Sequence, residues 1–526
     1  MASTTRKRAP VIVIGGGHNG LVCACYLARA GIETLVLERA PRAGGATQTV
    51  ESFPGFFFDT HAVAHNMINM TTIPRDLELE RVGLVYREMD PFTTAYSPAG
   101  PPFRMYRSVA RTCDDLARTS VTDARLYRDY IRAVEPLTRI VLASMRAGST
   151  GARLLALPGQ VAQALRALRG FGARGLAATL LAPYQRLLDE LLPTPRVQAA
   201  VAALAAHATV GPAMPGGSFY AMWQSAYHLS GMWHPLGGSG ALAEALVRRL
   251  QAWGGQLRTR AGVRRIEVRN GRAAGVTLDN GETIAATAVV AAINPKIVLL
   301  ELLAPNVLAE RMLRRARALH TGNAVQFVTH LALNRLPECI GQPGADAWNG
   351  MQAFTRDVGQ VARAFALAEA GFAPDDPPVY AFAPSAIDPA LAPPGKHGLY
   401  LACPCYPARF ADGTPWSAHA ERELERLIAA AEPFIPDLRQ HIIDAKPRTP
   451  EDAEREIGLV GGHPMHLDLT LDQLLVLRPL PGLAGHRTPL PGLYLSGAGT
   501  NPAGGVIGAP GRDTARAVLR DLRHRP

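Results

Sequence analysis

Apolar residues fall into two rhythms along this chain. Unbroken runs at Val11–Ile14, Thr34–Leu37 and residues 288 to 293 have the length and composition of strands buried on both faces. A helix-like run separates the first two, so residues 11 to 38 predict strand, helix, strand. Residues 197 to 206 predict a short buried helix, and residues 399 to 406 a strand with alternating faces. The dipeptides Asn270-Gly271 and Asn280-Gly281 mark tight turns between neighbouring strands. Near the end, residues 492 to 512 predict a strand, a glycine-rich turn and the start of a closing helix.

Punctuation turns the first of these blocks into chemistry. Gly15, Gly17 and Gly20 stand at G-x-G-x-x-G spacing between the first strand and the helix, and Glu38 closes the second strand eighteen residues later. Gly15 permits the tight turn, Gly17 admits a pyrophosphate, and Gly20 lets helix and strand pack closely. The N–H groups of the helix start at His18 and Asn19 then face the phosphates, and Glu38 holds a ribose hydroxyl pair. The pattern therefore predicts a dinucleotide site. Arg39 to Thr47 adds the glycine pair Gly44-Gly45, followed by Ala46, of the kind that follows the ribose acid in FAD-binding oxidases and desaturases. Far along the chain, Gly497, Gly499, Gly505, Val506 and Gly508 precede a helix start whose free N–H groups could stabilise negative charge on a reduced flavin.

On these motifs the chain resembles the phytoene-desaturase-like flavoproteins. Within them it is similar to the branch of desaturase-type carotenoid ketolases and pyridine-nucleotide-disulphide-oxidoreductase-domain proteins. The resemblance rests on residues 16 to 22, Gly44 to Ala46, residues 106 to 108 and 123 to 130, residues 235 to 240, Leu471 to Leu474 with Arg478-Pro479, and residues 497 to 512. It implies an α/β fold in which a Rossmann-like FAD-binding domain of the glutathione-reductase and amine-oxidase type is interleaved with an α+β substrate domain. The expected boundaries are 1–75, 230–300 and 455–526 for the first, and 76–229 and 301–454 for the second. It also implies that the backbone at Val263 meets the adenine ring. Two positions depart from the wider pattern: Ala46 stands where the superfamily often has Arg, and Asn501 where the branch often has His.

Composition bounds this picture. With 526 residues, 48% of them hydrophobic, the chain can bury more than one core. Six cysteines show no disulfide framework, which points to a reducing, cytoplasmic setting, and Cys403-Pro-Cys405 lacks a second ligand pair for a metal. Residues 1 to 10 are basic, yet no secretory apolar region fits before the glycines. The longest stretch free of charge, 197 to 243, is broken by Gly211-Pro212, Pro215, Gly231, Pro235 and Gly237-Gly238, so it reads as cavity-lining segments rather than a membrane span. It ends in a turn at 237 to 240 expected near the cofactor.

Net charge is +11. No nucleic-acid motif accompanies it, and part of the excess is local: residues 136 to 188 hold seven arginines (139, 146, 153, 166, 169, 174, 186) and no acid, set among leucines. That pattern fits helices resting peripherally on the inner face of an anionic membrane. It equally fits an ordinary helix pair packing its leucines on the core, and the sequence leaves both open. Arg512, Arg516, Arg520 and Arg523 predict a solvated stripe on the last helix.

A single nucleotide fingerprint implies that electrons come from an apolar organic substrate to FAD and leave to oxygen or a quinone. No metal is expected. Asp59, His61, His65, His228 and His234 could reach the cavity, and the sequence names no catalytic base among them. Two other functions remain open: a flavin amine oxidase, which needs a lysine near the flavin where only Lys7, Lys296, Lys396 and Lys446 exist, and a flavin-free lipid-binding escort. Oligomeric state is not encoded in any motif.

Overall fold

The computed structural model describes residues 9–98, 100–148, 159–341 and 345–524. The runs Val11–Ile14, Thr34–Leu37 and Ala288–Ala291 lie side by side and parallel in one five-stranded sheet. Leu493–Leu495 forms one edge beside Ala288–Ala291, and Gln256–Arg258 forms the other beside Thr34–Leu37. Both faces of this sheet are covered. Helix His18–Arg29, Gly240–Ala252 and Ala509–Arg523 pack on one face, with Leu21, Leu27, Leu246 and Val518 fully buried. The other face carries the three-stranded sheet Val263–Arg269, Arg272–Leu278 and Thr283–Ala285, whose turns are Asn270-Gly271 and residues 279 to 282. Asn270 and Gly271 both take positive φ, 51° and 68°, as a primed hairpin turn requires.

A larger mixed sheet of seven strands stands apart from the parallel one. Its order is Ile442–Arg448, Ala324–Leu333, His397–Pro407, Val379–Phe382, Met351–Phe354, Thr93–Ser97 and Gly100–Met105. The strand expected at 399 to 406 is present, but alternation is not: residues 398 to 407 are all buried. Leu399, Leu401, Cys403 and Cys405 lie on one side and Tyr400, Ala402 and Tyr406 on the other, and both sides meet the same large core. A helical layer completes it, led by the 27-residue helix Val121–Ala147, with Pro195–Ala206 almost wholly buried as expected.

The stretch after residue 206 runs through turns to 217, then the short helices Ser218–Ala221 and Gln224–Ser230 and the strand Met232–Pro235, because glycines and prolines break helices without forbidding single turns. Two expectations fail here for physical reasons. Arg512 is not solvated: it is fully buried and donates to the carbonyl oxygen of Arg146 at 2.9 Å, so the stripe begins only at Arg516. The arginine-rich region is the end of Val121–Ala147 plus helices Gln160–Phe171, Ala173–Leu181 and Tyr184–Leu191, not one helix pair. Arg153 falls outside the described residues. Arg139 pairs with Glu135 at 2.7 Å and Arg146 donates inward to Met70, so neither faces outward alone.

Candidate functional site

The three glycines of the fingerprint do three different things. A Cβ on Gly20 would fall 2.0 Å from the carbonyl oxygen of Gly15, so helix and strand approach as closely as backbone allows. Gly15 holds φ +96° and hydrogen-bonds its N–H to Leu37 at 2.8 Å, which fixes the turn. Gly17 is the opposite case: a Cβ there would meet nothing within 4 Å. Space is kept open at the N-terminus of helix His18–Arg29, where a bound pyrophosphate would meet free N–H groups.

The second glycine pair is laid on the first loop. Gly44 donates its N–H to Gly16 at 2.8 Å, bridges Gly17, and receives the Thr47 hydroxyl on its own carbonyl at 2.8 Å. A Cβ on Gly45 would sit 3.3 Å from the Gly17 Cα, and Ala46 is half-buried beside it. Glu38 accepts from the N–H groups of Gly16 at 2.7 Å and Ala40 at 2.8 Å, one on each oxygen, which braces the carboxylate and leaves a lone pair on each for a ribose. Its backbone carbonyl takes the N–H of Ala261, bringing half-buried Val263 to the same edge. The Arg39 guanidinium turns away and donates to the Glu454 carbonyl at 3.0 Å.

The distant glycine block closes this cradle because Leu493–Leu495 pairs with Ala288–Ala291. Ser496 continues the ladder by donating to Ala291, while Ala292 donates to Ile14, each at 2.8 Å. Gly497 packs closely on Ala292, Gly499 on Pro295 and Gly505 on Met67; a Cβ on Gly499 would fall 2.5 Å from Pro295, and Gly497 and Gly505 take positive φ. Val506 and Gly508 take positive φ before helix Ala509–Arg523, and a Cβ on Gly511 would fall 2.1 Å from the Asn19 carbonyl oxygen. The two helices whose N-termini frame the site therefore touch.

Polar atoms without partners mark what the cradle is built for. Among the described residues His18 Nε2, Asn19 Oδ1, His466 Nδ1, Ser496 Oγ and Asn501 Oδ1 are buried and make no hydrogen bond. Buried orphans cost about 1–3 kcal/mol each, and these five lie on segments that would surround a dinucleotide. Burial lowers His18 and His466 to about 4, so both are neutral at pH 7. The residues present thus fit FAD.

The sequence named several residues beside this cradle, but not the hydrogen bonds they make. Arg478 is wholly buried and donates to the carbonyls of Met465, Leu467, Asp468, Gln473 and Ala498; burial pulls it down to about 10. Thr49 and Asp59 hold the 237 to 240 turn: Asp59 Oδ1 takes the Thr49 hydroxyl at 2.8 Å and the Ser239 N–H at 2.6 Å. His65 joins Tyr86 at 3.1 Å to the Ser239 hydroxyl at 2.7 Å. A cavity of about 430 Å³ opens beside this turn, lined by Thr47, Gln48, Thr49, Gly240 and Ala243. No residue pattern signals such long-range hydrogen bonds.

The sequence-named histidines separate by role. His228 is held between the Tyr127 hydroxyl at 2.8 Å and the Arg107 carbonyl at 3.1 Å, a packing group. His234 bonds the Val63 carbonyl at 2.9 Å. His61 is lowered to about 4 by burial and its carbonyl accepts from Tyr400, whose oxygen and that of Tyr380 both receive the Gln326 amide. Burial raises the Asp59 carboxyl. Lys296 donates its Nζ to the Leu319 carbonyl at 2.8 Å. All six cysteines are buried and unbridged. Among the described residues no cluster of three metal-ligating side chains occurs, and no helix is long and apolar enough to cross a membrane.

Comparison with known proteins agrees with this geometry. Residues 20–332 match the family described as flavin containing amine oxidoreductase. A mouse protein, pyridine nucleotide-disulfide oxidoreductase domain-containing protein 2, is 32% identical over 98% of this chain and 94% of its own. A lycopene-forming phytoene desaturase from a Paracoccus species is 26% identical over 97% of both chains. In three dimensions, putrescine oxidase bound to putrescine superposes with a TM-score of 0.60 at 14% identity, covering 98% of this chain and 99% of that one. At that identity the likeness is one of fold.

Proposed function

The chain belongs to the flavin-containing amine oxidoreductase family and is an FAD-dependent oxidoreductase; from that premise we propose that it oxidises an apolar, polyene or isoprenoid-like substrate by desaturation, dehydrogenation or ketolation. The observation that carries this reading is the seven-stranded sheet. Its central strands Ala324–Leu333 and His397–Pro407 are buried along nearly their whole length, so the substrate side of the molecule is built around a large, mostly apolar core. Full-length similarity to a protein named as a phytoene desaturase supports the same substrate class.

FAD bound here would supply a two-electron acceptor for a hydride from an activated C–H bond of the substrate, with oxygen or a quinone as the final acceptor. Gly17 and the Gly44–Thr47 turn would hold the pyrophosphate, Glu38 the ribose, and the backbone at Val263 the adenine. The 497 to 508 loop and the N-terminus of helix Ala509–Arg523 would supply N–H groups where negative charge develops. Arg478 fixes that loop from beneath through the Ala498 carbonyl. His18, His61 and His466 stay neutral in their buried settings, so they orient by hydrogen bonds and place no fixed cation against an apolar substrate. The substrate reaches the cavity from lipid, at a peripheral contact on the cytoplasmic side of the membrane.

Lys7 lies outside the described residues; among the described ones, lysine placement weighs against an amine oxidase. Lys296 is tied to Leu319, while Lys396 and Lys446 lie on a turn and on the edge strand Ile442–Arg448 of the larger sheet. The deciding experiment is anaerobic mixing of the yellow protein with acyclic polyenes, with monoterpenes and with primary amines, followed at the flavin band. Bleaching by a polyene or terpene without nicotinamide, and recovery with oxygen or a quinone, is expected. Bleaching by amines alone, or only by NADPH, overturns the reading.

A further inference from the structure

Among the described residues fifteen large apolar side chains are exposed, and nine of them come from three short segments. Val161, Leu165 and Leu168 follow one face of helix Gln160–Phe171, at 56%, 50% and 40% exposure. That helix buries only Ala167 and packs on Val121–Ala147. Leu180 and Leu181 end the next helix, Ala173–Leu181. Leu471, Leu475, Val476 and Leu477 come from a turn almost three hundred residues away.

These segments meet. The N–H of Gly216 donates to the Leu181 carbonyl at 2.9 Å, and a Cβ on Gly216 would fall 2.3 Å from Leu471 Cδ2. Leu181 and Leu471 therefore flank one glycine, and the Leu475–Leu477 tip rises four residues beyond. Leu475 holds φ +49°, a left-handed conformation that leucine rarely adopts, and it is 58% exposed. Its neighbour Arg478 is bound to five backbone carbonyls, so the strained tip is mounted on a rigid base.

Charge decides what covers this surface. Arg166, Arg169 and Arg186 are exposed, none with a carboxylate partner among the described residues, and residues 136 to 188 contain no acid at all. The acids at its margin are Asp189 and Glu190 at the end of helix Tyr184–Leu191, and Asp472. An aliphatic patch with unpaired cations interspersed is complementary to anionic headgroups over acyl chains. We propose that the Leu475–Leu477 tip and the exposed leucines of Gln160–Phe171 and Ala173–Leu181 form one surface that docks the protein on anionic lipid, the tip entering the acyl boundary. The proposal rests on the reading above only for the direction from which substrate arrives; docking itself needs no substrate.

The test is cosedimentation of the intact flavin-loaded protein with vesicles of phosphatidylcholine alone or in equimolar mixture with phosphatidylglycerol. Wild type should bind the anionic vesicles at low salt and release as salt rises. Replacing Leu475, Val476 and Leu477 together by serine should weaken that partition by about a hundredfold or more, since three buried aliphatic side chains are lost. Arg166→Gln with Arg169→Gln and Arg186→Gln should abolish the preference for anionic vesicles. Unchanged flavin absorbance certifies that each variant is folded. Failure of wild type to bind either vesicle, or equal binding by the serine variant, overturns the proposal. So does a wild-type dimer in solution that the serine variant dissolves, which would assign the surface to a second copy of this chain. None of these outcomes bears on flavin reduction by substrate, so the two readings fail separately.

Discussion

Arg478 donates to the carbonyl oxygen of Ala498 from both Nε and Nη2, at 3.2 and 3.0 Å. Ala498 lies inside the glycine block that closes the cofactor cradle, so a fully buried cation twenty residues upstream sets the height of that loop. Arg478→Met should leave five carbonyls short of a donor and destabilise the protein by about 3 kcal/mol or more. Arg478→Lys should recover little, because an ammonium cannot reach carbonyls from five residues at once. Thermal melts with and without added FAD would read both effects; a lysine variant as stable as wild type would show that charge alone, not the fork, is needed.

Glycine substitutions should split into two outcomes inside one motif. Gly17→Val, placed where nothing lies within 4 Å, should fold normally and lose its yellow colour. Gly20→Ala puts a methyl 2.0 Å from a backbone oxygen and should cost about 1–3 kcal/mol of stability, whatever the cofactor content. Visible absorbance and apoprotein melting measured on both variants would separate the two; full flavin occupancy in Gly17→Val would remove Gly17 from the site.

Acid should unfold the apoprotein early. Burial lowers His18, His61, His207 and His466 to about 4 and His463 to about 3, from a usual 6.5. Below pH 6.5 the unfolded chain binds protons that the folded chain refuses, so stability falls as pH drops through the window from 6.5 towards 4. Asp59 and Asp468, whose carboxyls are raised by burial, act in the opposite sense, but they are two groups against at least five. The melting temperature should drop by at least about 10 °C between pH 7 and pH 5. A flat profile would mean that these rings are solvated in solution.

The cysteines should be silent. All six are buried, and burial pushes the thiols of Cys23, Cys25 and Cys405 up, away from thiolate. A chromogenic disulfide reagent should titrate close to none in the native protein and six in denaturant. Rapid native labelling of even one would reveal an opening of the core.

What the sequence made legible was local. Gly15 to Glu38 announces its strand, helix and acid because each constraint acts within a few residues, and the turns at Asn270 and Gly281 follow from the same kind of backbone need. Arg512 misled because its spacing fits a solvated stripe, while its burial depends on the Arg146 carbonyl, 366 residues away. The alternation expected at 399 to 406 failed because a second layer covers the far face, and no pattern within a strand reports what lies across it. Ser239, Thr49 and Tyr86 were invisible for the same reason: hydroxyls gain a role only from partners brought by the fold.

The order of strands in the parallel sheet carries a consequence for how the protein is made. Its edge strand Leu493–Leu495 pairs directly with Ala288–Ala291, which pairs with Val11–Ile14. Val11–Ile14 has both of its partners once residue 291 is made, but the loop that closes the cradle follows Leu493–Leu495 and is synthesised after almost everything it must enclose. Cofactor capture must wait for that loop, and until Leu493–Leu495 is made Ala288–Ala291 presents an open edge to its surroundings. A chain ending before residue 493 should emerge colourless and prone to aggregate even with FAD in excess, and adding the missing segment in trans as a peptide tests whether the cradle can be closed late.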